Sequence, residues 1–449
     1  MLKGNMTSAW VKLTPEEKRE ERIRRWLSPR GAQFIDPDAE KSYKARLTRI
    51  IDAIQLKEPD RVPVILPAGI YPAFHAGVTL QTVMYDYDEL RKAWRKFLHE
   101  FNGDTHASPA VIPPGRVSDI LDSRTSKWPG HGLPDDARMF QFVEGEYMKA
   151  DEYDALINDP SDFFLRIFLP RMFGQLKPIQ KLTPLTHSLG MPTAFLGSYT
   201  NADVRSAFQA ILDAGRELEK WREVIGDFNR EAVNTGFPAL RGGFTMAPFD
   251  TIGDTLRGTQ GVFRDMFQQP DKLHEAMEKI VPLNIEAAVS MADAVEGPII
   301  FMPLHKGDDV FMSDKQFETF YWPSFRKVIM GLVEEGCIPL LFAEGRYNRR
   351  LEVIKDLPKG TVLWWFDQTD MAKAKEILGI TACISGNVPT SLLCTGTPQA
   401  VKDYCRKLIE VCAAGGGFIL TGGAAIDRGN PDNLHAMVEA VEEFGRYCL

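Results

Sequence analysis

The sequence predicts an α/β protein folded as a (β/α)8 barrel, the TIM barrel, with a helical extension at its N-terminus. Three observations carry this. Between Cys337 and Pro389, three short apolar runs (337–343, 361–366 and 381–385) alternate with polar, amphipathic segments. Runs that short, bounded by turn signals and separated by helical patterns, mark strands buried on both faces of a parallel sheet. Each run ends in a polar cluster: Glu344-Gly345-Arg346, then Asp367-Gln368-Thr369-Asp370, then Ser385-Gly386-Asn387. Polar residues at the ends of successive parallel strands face one opening, which in a barrel is where the active site lies. Finally, 449 residues suit one barrel with an extension and insertions.

Composition sets outer bounds. Apolar residues make up 44% and charged residues 25%, ordinary values for a globular enzyme. The net charge of −8 and the lack of a long basic run argue against nucleic acid as a partner. No apolar run approaches the roughly 20 residues of a membrane span. The first 26 residues lack a signal peptide's apolar core, so the expected compartment is the cytoplasm. All six cysteines follow residue 336 at irregular spacings, mostly inside apolar runs, and read as reduced core thiols.

The elements follow in order. Thr14-Pro15-Glu16-Glu17 starts a helix, with Thr14 as cap and Pro15 at the first helical position. That helix ends near Leu27. Its charged surface is expected to clasp the barrel or a partner subunit, which leaves a homodimer open. A second helix, about 38–56, completes an extension over residues 1–57, wrapping a barrel over 58–449. Arg61 to Leu66 is the first strand, followed by a loop carrying Tyr71, Phe74 and His75. Helix is expected at 86–101 and 151–175, a mouth-covering insertion at 109–135, a strand over Pro192–Tyr199, and a helical pair over 202–235.

Gly242 to Ala247 reads as a strand, 270–296 as a long helix, and Pro298 to Leu304 as a strand entering His305-Lys306-Gly307-Asp308-Asp309. Ser313 and Gln316 form a capping box. A helix at 399–413, a last strand at 417–421 and a helix at 431–447 complete the pattern.

The chemistry is expected at strand ends: Glu344, His305, Asp309 and Asp367 as catalytic candidates, with Asp308 and Asn387 beside them. One such residue alone more often caps a helix, but several on consecutive strand ends converge in this fold. His305 and Glu344 supply nitrogen and carboxylate ligands suited to Zn2+, or alternatively a carboxyl placed against a substrate oxygen. Tyr71, His75, His187 and Asn387 are the expected substrate-binding residues. Trp365 is a candidate aromatic wall, although at least one of Trp364 and Trp365 must be core. Gly242-Gly243 and Gly422-Gly423 fit neither a P-loop nor a dinucleotide fingerprint and read as packing glycines.

These residues resemble the uroporphyrinogen decarboxylase superfamily. The resemblance rests on Gly307-Asp308-Asp309 before a Ser-capped helix, Trp365 to Asp370, and Ser385 to Pro389. It also rests on Leu392-Leu393 with Gly396-Thr397-Pro398, on Gly422-Gly423 with Pro431, and on Glu58 to Val64 upstream. It covers about residues 40–449. The superfamily's true decarboxylases carry an arginine-rich segment after the first strand to hold substrate carboxylates. Here Leu66 to Pro72 has no arginine, and none follows until Arg91. The superfamily's other branch moves methyl groups between small methylated compounds and a corrinoid protein. Its thiol-activating members bind zinc through a His-x-Cys pair and a later Cys. Those positions are Phe342, Glu344 and Ala424 here.

The resemblance therefore implies a corrinoid-dependent methyltransferase. It would pass a methyl group from a small compound, an aryl methyl ether by first choice, to Co(I) on a separate corrinoid protein. Zn2+ at Glu344 and His305 is an open option. A decarboxylase or lyase acting on a less charged acid is the second reading. A non-catalytic carrier of a corrinoid or tetrapyrrole is the third.

Overall fold

The computed structural model describes residues 10–447. The first nine residues of the extension, with the start of the segment read for a signal peptide, and Cys448 lie outside that range. Six parallel strands form one sheet in sequential order: β1 (Gly243–Phe244), β2 (Ile299–Leu304), β3 (Ile338–Ala343), β4 (Leu363–Phe366), β5 (Cys383–Val388) and β6 (Phe418–Gly422). Two shorter segments close the ring. Ile65 donates its N–H to the Leu420 carbonyl, and Leu420 donates to that of Pro63, so 62–66 pairs with β6. On its other side Asp104 donates to the Val64 carbonyl, and His106 pairs with Ala239, just ahead of β1. The result is the expected TIM barrel. Its first two strands are short because proline and charged residues interrupt their ladders.

The strands alternate as a barrel requires. Ile300, Met302, Leu304, Leu341, Ala343, Trp364 and Phe366 face outward into the main helix-packed core. Ile299, Ile338, Leu340, Phe342, Leu363, Trp365, Cys383 and Ile419 face inward. Trp364 and Trp365 thus divide between the two faces, and both are buried.

The extension does more than wrap the barrel. Helix α1 (Pro15–Leu27) has the Thr14–Glu17 capping box, and α2 (Pro37–Ile54) is capped by Asp36. The apolar stripe of α2, Tyr43, Leu47, Ile50, Ile51 and Ile54, packs with the inward residues at the starts of the barrel strands. It covers the lower end of the barrel, opposite the mouth. Despite its charge, α1 buries Ile23 and Trp26, and its Lys18 and Arg22 pair with Glu335 and Asp293.

Three sequence expectations are corrected. Pro192–Tyr199 is not a strand: Ala194–Thr200 is a 3-10 helix in a satellite region away from the sheet. Residues 202–235 are not a helical pair but one 33-residue helix, Ala202–Asn234, which tolerates Gly215 and Gly226 in its interior. The segment 151–175 is broken into Tyr153–Asn158, Pro160–Asp162, a π-helical turn at Phe163–Phe168 and Leu169–Met172. Pro160 starts one new piece and Pro170 stands second in another, both first-turn positions that suit proline. Within 109–135 the insertion includes strands Ser126–Pro129 and Gly132–Leu133, which join Gln141–Phe142 in a small sheet. Among the described residues no helix is long and apolar enough to cross a membrane, and the five described cysteines are free.

Candidate functional site

The mouth is built from the ends of β1, β2 and β3. After β1 the chain enters Pro248–Asp250 and then a π-helical turn, Thr251–Leu256. Asp250 and Asp254, four residues apart, both reach the residues that follow β2. Asp250 is fully buried and accepts the backbone N–H groups of His305 at 3.2 Å and Lys306 at 3.0 Å. The Tyr321 hydroxyl, from a second π-helical turn (Phe317–Tyr321), also donates to it. π-Turns of this kind recur at functional sites because they re-aim side chains.

Asp254 accepts a hydrogen bond from His305 Nδ1 at 2.6 Å and pairs with Lys306 Nζ. Gly253 leaves room for that lysine, since a Cβ there would sit 2.6 Å from Lys306 Cε. The other ring nitrogen of His305, Nε2, stands 3.6 Å from Glu344 Oε1. That is longer than a hydrogen bond but within ionic reach. Glu344 is the last residue before a left-handed turn at Gly345 (φ +77°), where a Cβ would strike Asp308 Oδ2 at 2.5 Å. The chain must turn there, and Glu344 is left at the opening with 43% of its side chain exposed.

The electrostatics follow from this packing. Burial pushes the Asp250 carboxyl up to about 7, and the charge of Asp254 adds to the shift. Burial also opposes charge on Asp254, but its bonds to His305 and Lys306 win and hold it below the usual carboxylate range. For His305, burial favours the neutral ring. The Asp254 hydrogen bond and the nearby Glu344 carboxylate outweigh this and raise it to about 10. At neutral pH His305 is therefore an imidazolium held between two carboxylates.

The other expected residues are placed as follows. Asp367, at the end of β4, accepts the Gly345 N–H at 3.2 Å. Burial raises its pKa, with a contribution from the Glu344 charge, so it lies beside the relay. Asp309 accepts the Arg349 N–H and donates its own N–H to the Arg346 carbonyl, tying two mouth loops together. Asn387 is buried and donates to the Thr369 carbonyl at 2.8 Å. Tyr71 and His75 bond to each other at 3.2 Å, and His75 bonds to Glu100 at 2.7 Å. They form a separate pair packed on Phe97 and Phe101. His187 is exposed on a 3-10 turn, Leu185–Leu189. The structure thus brings His305, Glu344 and Asp367 together and adds Asp250, Asp254, Lys306 and Tyr321.

Below the mouth lies an aromatic layer. Phe342 stacks on Trp365 at 4.1 Å between centroids, and Phe301 lies 6.1 Å from Phe342 and 6.2 Å from Phe244. Trp365 donates its indole N–H to the Gly422 carbonyl, which fixes the ring.

Among the described residues no three His, Cys, Asp or Glu side chains are placed to hold a metal ion. His305 and Glu344 are two donors where a catalytic zinc uses three.

Asp250 carries one prediction here. Among the described residues it is the sole side chain accepting from both His305 N and Lys306 N, so Asp250→Asn turns an amide NH2 toward donors. Unfolding stability should fall by about 1–3 kcal/mol, the cost of leaving buried donors unpaired. Denaturant melts check this.

An eight-stranded parallel barrel with titratable groups on consecutive strand ends is an architecture for barrel-mouth acid–base chemistry. The uroporphyrinogen decarboxylase (URO-D) family pattern matches residues 211–444, and the chain belongs to that family. It is 24% identical over 203 residues to a uroporphyrinogen decarboxylase of Coxiella burnetii (strain Dugway 5J108-111), covering 45% of this chain and 55% of that protein. To one from Chlorobium phaeovibrioides it is 24% identical over 247 residues, covering 54% and 66%. The chain thus matches just over half the length of the Coxiella relative. In fold it is similar to a methyltransferase from Methanosarcina mazei, with a TM-score of 0.58, 16% identity, and 88% and 98% of the two chains covered.

Proposed function

We propose that the chain is a methyltransferase of the substrate-demethylating kind, taking a methyl group from an aryl methyl ether. The observation that carries this reading is the Asp254–His305–Glu344 relay standing at the mouth above an aromatic layer. A Co(I) corrinoid on a separate protein would supply the nucleophile that takes the methyl group. The chain's residues do the rest. The aromatic layer binds and orients the ring. As the methyl–oxygen bond breaks, both electrons stay on the oxygen, which takes one proton from the His305–Glu344 pair. A phenol has an ordinary pKa of about 10, like tyrosine. That is well matched to an imidazolium held at about 10. The proton starts on His305, passes through the Glu344 carboxylate at the opening to the leaving oxygen, and the neutral ring is reprotonated from solvent.

The Leu66–Pro72 turn has no arginine, so a tetrapyrrole with many carboxylates lacks its cationic clamps. We expect no decarboxylation of uroporphyrinogen and no binding at micromolar concentration, measured by chromatography of products and by fluorescence titration. A second reading is a decarboxylase acting on a smaller acid, favoured by the family and its named relatives. In it the same pair would protonate a carbanion-like intermediate. The deciding experiment incubates the protein with a Co(I) corrinoid and methoxylated aromatics, methanol or methylamines, and follows the cobalt spectrum. Loss of the Co(I) band with a methoxylated aromatic, and release of the phenol, supports methyl transfer. Release of CO2 from an acid without change at cobalt supports the second reading. Zinc analysis of the purified protein should find less than stoichiometric metal, and a tightly bound equivalent would contradict the relay as described.

A further inference from the structure

Arg241 lies inside the barrel. Its guanidinium carbon is 3.6 Å from the centroid of the Phe301 ring, and Phe301 belongs to the inward-facing aromatic layer with Phe342 and Trp365. Two facts locate this spot in a cavity and not in packed core or on the outer surface. Arg241 is exposed and Phe244 beside it is 44% exposed. Yet Arg241 is so deeply surrounded that burial alone pulls its pKa down to about 10. A side chain that is deep and still accessible lines an internal space. In most barrels that space is filled by layers of side chains. Here Phe244, 44% exposed, leaves part of that layer uncovered.

No carboxylate among the described residues shifts or pairs with Arg241. This sets it apart from Arg49, Arg257 and Arg350, which carboxylates hold, and from Arg46, which bonds to the Gly236 carbonyl and Asn102. Arg49 is held by Asp60 and Asp104, Arg257 by Asp265 and Glu146, and Arg350 by Asp314. A guanidinium set deep in a fold is ordinarily paired, because partial desolvation of an unpaired charge is costly even where water still reaches it. A cation kept without a protein partner, on an aromatic face inside a cavity, suits an anionic ligand group.

We infer that Arg241 anchors a carboxylate of the substrate, which makes the substrate an aromatic acid bearing the methyl ether at its far end. This rests on the reading given under Proposed function and names the substrate class for the same site. Along β2, Phe301 and His305 are four residues apart on the inward face, roughly 13 Å at about 3.3 Å per residue. That span holds one aromatic ring with a short spacer to its carboxylate. The ring would stack in the layer of Phe244, Phe301, Phe342 and Trp365. One guanidinium also fits one carboxylate, in keeping with the missing clamp for a polycarboxylate.

The test is equilibrium binding, which needs no corrinoid. Quenching of tryptophan fluorescence, with calorimetry as a second readout, is measured for 4-methoxycinnamate and 4-methoxybenzoate against their methyl esters. The wild type should bind at least one acid about 10-fold or more tighter than its ester. Arg241→Met keeps apolar cover over Phe301 and removes the charge. It should weaken acid binding by about 10- to 100-fold and leave ester binding within about twofold. Arg241→Lys should restore part of the preference. Thermal melts confirm folding of both variants, which is expected because Arg241 makes no hydrogen bond that folding requires. Equal binding of acid and ester by the wild type overturns the inference. So does an acid preference that survives in Arg241→Met, or no binding of any of the four compounds at millimolar concentration. Acid binding that depends on Arg241 without any methyl transfer to cobalt would keep this inference and remove the methyltransferase reading. Methyl transfer without dependence on Arg241 would do the reverse.

Discussion

Glu344→Gln should lower the proposed methyl transfer by about 10²-fold or more, the usual scale for losing a positioned proton donor. Glutamine keeps the size and one acceptor oxygen but cannot pass on a proton. The substitution is also mild for the fold. Glu344 is half-exposed at the end of β3, and its contact to His305 is a loose 3.6 Å. The melting temperature should therefore stay close to that of the wild type. The kinetic signature is specific. If Glu344 only helped bind substrate, KM would rise with kcat held. If it hands over the proton as the bond breaks, kcat and kcat/KM fall together. Activated ethers separate the cases further. A nitro-substituted aryl ether leaves as a stable oxide and needs less protonation. Its rate should fall far less in Glu344→Gln than that of the unsubstituted ether. Full activity of the variant on both would remove Glu344 from the chemistry and leave His305 to act directly.

The parts of this protein that sequence reveals are those governed by one strong force. Strands β2, β3 and β4 are continuous apolar runs, and β5 and β6 begin as such, as strands buried in a parallel sheet do. Polar residues just past such runs sit at the mouth by geometry, which is why His305, Glu344 and Asp367 read out together. The segments 62–66 and 103–107 are harder. They pair with neighbours through a few hydrogen bonds, and Asp104 is held by Arg49 and Arg61 instead of by apolar packing. Ala194–Thr200 reads as a strand from its apolar residues, but it packs in a satellite cluster with no strand to pair.

The missed site residues have a common cause. Asp254 and Tyr321 come from π-helical turns inside helical segments, where an acid or a tyrosine normally reads as solvated surface or core. The i, i+4 spacing of Asp250 and Asp254 directly after a strand was the available signal. Arg241 sits where the alternation of β1 is broken by the glycine pair 242–243, so its inward direction does not follow from period two.

The second large effect concerns Asp254, which never touches substrate in the proposed reaction. It acts through His305. Asp254→Asn keeps an oxygen that can accept from Nδ1–H but removes the negative charge that does most to hold the imidazolium. His305 should fall from about 10 toward the ordinary histidine value of about 6.5. Because the reaction needs the protonated ring, activity is lost as pH rises through that pKa. The wild-type profile of kcat/KM should stay level up to about pH 9 and fall above it. In Asp254→Asn the fall should begin two or more pH units lower, so that at about pH 9 the variant retains about 1% of wild-type activity while near pH 6 it approaches parity. The stability of the folded protein gives an independent readout of the same shift. A group whose pKa is raised on folding stabilises fully below its unfolded value, about 6.5 for histidine. That contribution is lost as pH climbs toward 10. The wild-type melting temperature should therefore drop across this window, and that of Asp254→Asn should drop less. A merely structural role for Asp254 would lower activity by the same factor at every pH and leave the profile where it was. That result would break the relay at its base, whatever Glu344→Gln had shown.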